Sequence, residues 1–73
     1  MLETYIHNFK VKYEQNAQGG MYYLKNDLDQ KEAKIYFDQA KRKKAVNFED
    51  HQDRDYTLSY NTDGTFTLVR RGY

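Results

Sequence analysis

The sequence predicts a two-layer α+β domain, in which one α-helix packs on an antiparallel sheet of four to five strands. Two observations support this class: a strongly patterned β-hairpin near the carboxyl end and a single helical pattern in the middle of the chain. The expected order of elements is β-β-α-β-β-β. Seventy-three residues are enough for one domain, so we expect a single small domain over residues 1–73.

The hairpin is predicted from its turn and from the alternation of its strands. Residues 61–64 read Asn-Thr-Asp-Gly, which is typical of a type I turn closed by a G1 bulge, with Gly64 at positive φ. This turn sets the register of the flanking strands. The predicted pairs are Tyr60–Phe66, Leu58–Leu68 and Tyr56–Arg70 on one face, and Ser59–Thr67, Thr57–Val69 and Asp55–Arg71 on the other.

The helix is predicted to span Gln30–Lys43 because Asp29 and Glu32 have the spacing of a capping box. One face of this helix carries small and aromatic residues that suit contact with a sheet, namely Ala33, Tyr36, Phe37 and Ala40. Ile35 falls on the opposite face and is expected to be exposed.

Three further strands are predicted from alternation or from short apolar runs. Phe9–Tyr13 alternates apolar and basic residues, with residues 2–6 as a bulged or frayed extension. Residues 16–20 interrupt this strand, and residues 21–24 are expected to return as a second one. Ala45–Glu49 reads as a short strand after the helix, and residues 50–54 as a polar turn.

Composition argues against most kinds of catalytic site. There is no cysteine, the two histidines lie far apart in the chain, and no glycine-rich phosphate loop is present. The acidic residues around His51 lack the spacing of a calcium loop and are interpreted as a solvated turn. We therefore expect no enzyme activity, no catalytic residues, no cofactor and no metal.

The candidates for protein binding are Leu28, Ile35 and Tyr23. Leu28 and the outward Ile35 would form a small apolar patch with a charged rim, which is typical of modest protein-binding sites. Tyr23 is predicted to lie apart from them, on the uncovered face of the sheet. Eight tyrosines in 73 residues are consistent with a binding surface and also with half-buried strands.

The candidates for nucleic-acid binding are the basic run at the helix end and the basic residues of the open sheet face. They are Lys41, Arg42, Lys43 and Lys44, together with Lys10, Lys12, Tyr23 and Arg71. Cations at a helix carboxyl end also complement the helix dipole, so the run has a purely structural explanation. The formal charge of +1, from 12 basic and 11 acidic residues, favours that explanation.

These observations predict a small non-catalytic binding module, an adaptor or inhibitor that contacts another protein. Its size suggests a phage protein by analogy alone. The alternatives are a nucleic-acid binder and a self-assembling structural subunit, a homodimer for example, because open sheet edges favour strand pairing. The absence of cysteine and of any long apolar run favours a cytoplasmic protein that does not interact with membranes.

Overall fold

Five strands and two α-helices make up most of the structure, a computed structural model that describes residues 1–71. The strands are β1 (Leu2–Ile6), β2 (Phe9–Tyr13), β3 (Ala45–Glu49), β4 (Asp55–Tyr60) and β5 (Phe66–Arg70), and the helices are α1 (Gln18–Tyr22) and α2 (Gln30–Lys43). A 3-10 turn at Gln15–Ala17 precedes α1, and a π-helical turn at Tyr23–Asp27 follows it. The predicted α+β class is confirmed.

The strands form one sheet in the order β1-β2-β5-β4-β3. Every neighbouring pair is antiparallel except β2 and β5, which are parallel, so the prediction of a purely antiparallel sheet is wrong for this pair. The helical segments between β2 and β3 carry the chain back across the sheet, so that β3 runs in the direction of β2. Two antiparallel connections then leave β5 parallel to β2.

The first two strands form a hairpin that the sequence analysis missed. His7 and Asn8 both have positive φ, 49° and 74°, as a two-residue type I′ turn requires. Ile6 therefore pairs with Phe9, and residues 2–6 are a strand in their own right. The change of parity between Ile6 and Phe9 marks a tight turn and not a bulge.

The predicted strand at residues 21–24 is wrong, since these residues lie in α1 and the π-helical turn. Ala17, Gly20, Met21 and Leu24 are all buried, and their spacing is that of one helix face. The two glycines allow this segment to lie very close to the sheet. A β-carbon on Gly20 would be 2.8 Å from the Tyr56 ring, and one on Gly19 would be 2.5 Å from the Arg54 guanidinium.

Helix α2 has the predicted bounds and the predicted start. The Glu32 N–H donates to the Asp29 carboxylate at 2.8 Å, and the Asp29 N–H donates to the Glu32 carboxylate at 3.3 Å. The helix ends where Lys44 adopts the left-handed conformation, with φ of 74°. This conformation allows the chain to enter β3 directly.

Both helical segments cover the same face of the sheet, and the core lies between the two layers. Phe37 is fully buried, stacks on Phe9 with ring centroids 4.4 Å apart, and meets Phe66 edge-on at 4.8 Å. Ala33 and Ala40 are buried on the same helix face, as predicted. The open face of the sheet carries the predicted Lys10, Lys12, Thr57, Ser59, Thr67 and Val69, together with Tyr5 and Asn47.

The β4–β5 hairpin has the predicted turn and the predicted register, from Tyr60–Phe66 to Tyr56–Arg70. The Asn61 N–H donates to the Thr65 carbonyl at 2.8 Å, and the Gly64 N–H to the Asn61 carbonyl at 3.1 Å. Gly64 has φ of 91°, as the G1 bulge requires.

We predict that Gly64→Ala lowers the free energy of unfolding by about 1 kcal/mol, because a β-carbon is strained at this φ. Among residues 1–71, no atom beyond the chain neighbours of Gly64 lies within 4 Å of the position that the new β-carbon would take, so the loss is assigned to backbone strain and not to a clash. Urea unfolding measures the effect, and Gly64→Asn is the control, since asparagine tolerates positive φ better than alanine. A midpoint equal to that of the unchanged protein would contradict the bulge.

Candidate functional site

A groove lined by both apolar and polar side chains lies between the π-helical turn and the outer side of α2. Its volume is about 310 Å³, and the lining residues are Tyr23, Leu28, Glu32, Ile35, Tyr36 and Gln39. We call it the tyrosine groove. It brings together Leu28, Ile35 and Tyr23, the three residues that the sequence analysis singled out for protein binding on two separate surfaces.

The predicted position of Tyr23 on the open face is wrong. Because residues 21–24 are helical, Tyr23 lies in the helical layer, where its ring stacks on Phe48 with centroids 5.9 Å apart and meets His51 edge-on at 5.1 Å. Tyr36 packs on the same Phe48 ring at 5.4 Å. Two tyrosines that share one buried phenylalanine therefore anchor the groove to the sheet.

Helix α2 supplies the other side of the groove through residues spaced for a single face. Glu32, Ile35, Tyr36 and Gln39 follow the i, i+3, i+4, i+7 pattern. Ile35 is 57% exposed, as predicted, while Leu28 and Tyr36 are half-buried. Ile35 is thus the apolar side chain of the groove that presents most surface to solvent.

The polar groups of the groove are the Glu32 carboxylate, the Gln39 amide and the two tyrosine hydroxyls. Burial raises the pKa of Tyr23, and the nearby Tyr36, Glu32, Asp27 and Asp50 raise it further. The Tyr23 hydroxyl is therefore protonated at neutral pH and able to donate a hydrogen bond. The carboxylate of Glu32 is the charge that lines the groove itself.

The structure does not bring the eight nucleic-acid candidates into one patch. Lys41, Arg42, Lys43 and Lys44 are exposed at the end of α2, in the helical layer, whereas Lys10 and Lys12 project from the opposite face of the sheet. Tyr23 belongs to the tyrosine groove. Arg71 lies four residues beyond Thr67, which pairs with Lys12, and so about 13 Å further along the sheet.

Several of these cations already have partners within the chain. Lys10 contacts Glu3 at 3.2 Å, which raises the pKa of Lys10, and Lys12 lies 4.0 Å from Asp63. The ammonium of Lys41 lies 5.2 Å from the centre of the Phe9 ring. The basic residues are therefore spread over two faces and partly neutralised.

Asp50 is a buried polar residue that the sequence does not reveal, because the acidic residues around His51 predict a solvated turn. It is buried and accepts hydrogen bonds from the N–H groups of Gln52 and Arg54, at 2.9 and 3.1 Å. Its second oxygen accepts from the Arg54 side chain at 2.7 Å and from the Tyr56 hydroxyl at 3.0 Å. Burial alone would raise the pKa of Asp50, but these four hydrogen bonds outweigh it and lower the pKa.

This network fixes the β3–β4 connection beside the tyrosine groove. His51, whose ring contacts Tyr23, lies 3.6 Å from Asp27, and Arg54 packs against Gly19 of α1. The network thus joins the connection to the helical segment that carries Tyr23. The spacing of Asp50, Arg54 and Tyr56 is the feature of the sequence that could indicate this network. Spacing alone does not show that Asp50 is buried.

Other kinds of site are not evident in the part of the chain that the structure describes. Within residues 1–71, no three histidine or acidic side chains cluster in a way that could hold a metal ion. Neither α1 nor α2 is both long and apolar enough to cross a membrane. His7, the other histidine, lies in the β1–β2 turn, with its ring 3.1 Å from the Leu24 carbonyl.

Within residues 1–71, the fold and the groove together define a small two-layer α+β domain with a partly apolar surface groove on its helical side. No protein-family model, curated protein or solved structure matches the chain significantly.

Proposed function

We propose that this chain is a small, non-catalytic binding module that recognises a partner protein through the tyrosine groove. The observation that carries the proposal is the convergence of Tyr23, Leu28 and Ile35 on one groove with an exposed apolar residue. Hydrophobic surface that is grouped and rimmed by polar residues is typical of interaction sites.

The size of the groove favours an anchoring side chain over a large ligand. Sites that hold small molecules have volumes of ~300–1,000 Å³, and the 310 Å³ of the tyrosine groove is at the lower end of that range. One large apolar side chain of a partner would cover Ile35 and Leu28 and contact the tyrosine rings. Rigid aromatic side chains are well suited to this kind of contact because they lose little conformational entropy on binding.

Charge around the groove restricts the partner further. Asp27, Asp29 and Glu32 lie at the amino-terminal end of α2, and Arg42 and Lys43 lie one turn beyond Gln39 at the other end. A segment of the partner that places a lysine or arginine near Glu32 and a carboxylate near Arg42 would complement the negative and positive ends of the groove. We infer that the partner presents an apolar residue between opposite charges.

We place this activity in the cytoplasm, because a cysteine-free domain of this size is more usual there than outside the cell. A phage origin is consistent with the size of the chain but rests on analogy alone.

Ile35→Glu tests the proposal, because it puts a charge into the apolar part of the groove at a position that is already exposed. We expect the melting temperature to stay nearly unchanged and the capture of partner proteins from lysate to fall at least tenfold. Gln30→Glu adds the same charge at an exposed position of α2 outside the groove, and capture should persist. Tyr23→Ala is a less specific variant, since Tyr23 also packs on Phe48.

The pull-down is run with and without nuclease so that nucleic-acid binding is tested in parallel. Equal capture by the unchanged protein and by Ile35→Glu would contradict the groove as the binding site. We expect no binding to a 20-base-pair DNA duplex at about 50 mM salt. A nucleic-acid binder would instead bind the duplex, and log K would fall with log salt with a slope of about −3 to −4. The double change Lys41→Gln and Lys43→Gln would then make this slope less steep.

A further inference from the structure

β1 lies at the edge of the sheet, and no strand of the described chain pairs with its outer side. Across the turn at His7 and Asn8, Ile6 and Phe9 form the hydrogen-bonded pair next to the turn. The alternation of an antiparallel ladder then directs the N–H and C=O groups of Glu3 and Tyr5 away from β2. These backbone groups are available to another strand.

Exposed apolar side chains are frequent along this edge, on both faces of the sheet. Of the seven large apolar residues that are exposed within residues 1–71, three belong to it: Met1 (67% exposed), Leu2 (42%) and Tyr5 (64%). None belongs to β3, the strand at the other edge of the sheet. The β1 sequence also lacks the proline, lysine or bulge that commonly blocks pairing at a free edge.

We propose that a second copy of this chain covers the edge, through antiparallel β1–β1 pairing with a two-fold axis at Thr4. In this register Glu3 of each copy faces Tyr5 of the other, and both residues direct their N–H and C=O groups toward the opposite strand. The two copies exchange two symmetry-related pairs of backbone hydrogen bonds. The sheet then continues from one copy into the other.

The side chains agree with this register on both faces. On the helix-covered face, the exposed Leu2 of one copy lies opposite Ile6 of the other, which is fully buried within its own chain, so no charged side chain is placed opposite Leu2. On the open face, Glu3 is already paired with Lys10 of its own chain and meets a tyrosine across the axis. No two like charges face each other directly. Pairing of β1 with β3 of another copy would leave free edges and would build an open filament.

The mass in solution is the first test, by light scattering after size exclusion at about 100 μM protein. We expect twice the 8.8 kDa of one chain. Glu3→Pro removes an outward N–H from β1 and should reduce the mass to that of a monomer. The matched control is Glu49→Pro on β3, which should stay dimeric. The Tyr60 N–H donates to the Lys44 carbonyl, and the Asp50 N–H donates to the Arg54 carbonyl. The same alternation therefore turns the N–H of Glu49 outward.

A cysteine cross-link tests the register without proline. The chain has no cysteine, so Thr4→Cys introduces a single thiol at the two-fold axis, where the two β-carbons would be about 4.5–5.5 Å apart. Mild oxidation should give a disulfide-linked dimer that appears much faster than for Asn47→Cys, an exposed position at the centre of β3. A monomeric mass for the unchanged protein, a dimeric Glu3→Pro, or equal cross-linking at both positions would overturn the proposal.

Discussion

Replacement of Phe37 by alanine is expected to lower the free energy of unfolding by about 3–5 kcal/mol, from the lost burial and the cavity left behind. Phe37 is fully buried and contacts both Phe9 and Phe66, so it joins α2 to β2 and to the central strand β5. A domain of this length has a total stability of roughly 4–11 kcal/mol. The variant should therefore be unfolded or close to unfolding at 37 °C.

Urea unfolding followed by circular dichroism measures this loss, with Ile35→Ala as the control on the opposite face of the same helix. Ile35 is 57% exposed, so its truncation should cost well under half as much as that of Phe37. An Ile35→Ala variant as unstable as Phe37→Ala would contradict the orientation of α2.

The second large loss of stability is expected when Asp50 is replaced. Asp50→Ala leaves the Arg54 side chain, the Tyr56 hydroxyl and two backbone N–H groups without their acceptor. Loss of hydrogen bonds to a buried charged group should lower the free energy of unfolding by about 3 kcal/mol. Because Asp50→Asn keeps the shape of the side chain and one acceptor oxygen, it should lower the free energy of unfolding by less than Asp50→Ala.

The effect of Asp50 should depend on pH, with a definite sign. The folded state lowers the pKa of Asp50, so its stabilising contribution is complete above the ordinary aspartate pKa of about 3.9 and disappears as the pH falls through the lowered value. The difference in stability between the unchanged protein and Asp50→Asn should therefore shrink between pH 5 and pH 2. A difference that stays constant over this range would show that the carboxylate charge contributes nothing.

Local chemistry was enough to predict two parts of the fold. Residues 61–64 specify both the turn and the register of the β4–β5 hairpin, because Gly64 supplies the positive φ that the turn needs. Asp29 and Glu32 specify the start of α2 through their own hydrogen bonds. Such signals involve residues that are close in sequence, so they can be recognised without knowledge of the rest of the fold.

In the segment from Gln15 to Asp27, the strand predicted from the sequence is wrong, because the segment is helical. The sequence predicts a break between strands at Gly19 and Gly20, whereas in the structure these glycines permit close contact with Arg54 and Tyr56. The spacing of Ala17, Gly20, Met21 and Leu24 was the available evidence for a helix. The sequence does not predict the β1–β2 turn for a related reason, since His7 and Asn8 are less typical of positive φ than glycine is.

The sequence by itself therefore determined the fold class, α2, the β4–β5 hairpin and the exposed position of Ile35, and it singled out Leu28, which is half-buried. Only the tertiary structure decided that Tyr23 joins them, that the basic residues separate onto two faces, and that Asp50 is buried. The physical reason is that these outcomes depend on which residues distant in sequence pack together. A helix that contacts the sheet through Gly20 turns Tyr23 onto Phe48. The spacing within residues 15–27 indicates the buried face of this helix, but it does not show that Phe48, which is distant in sequence, lies against Tyr23.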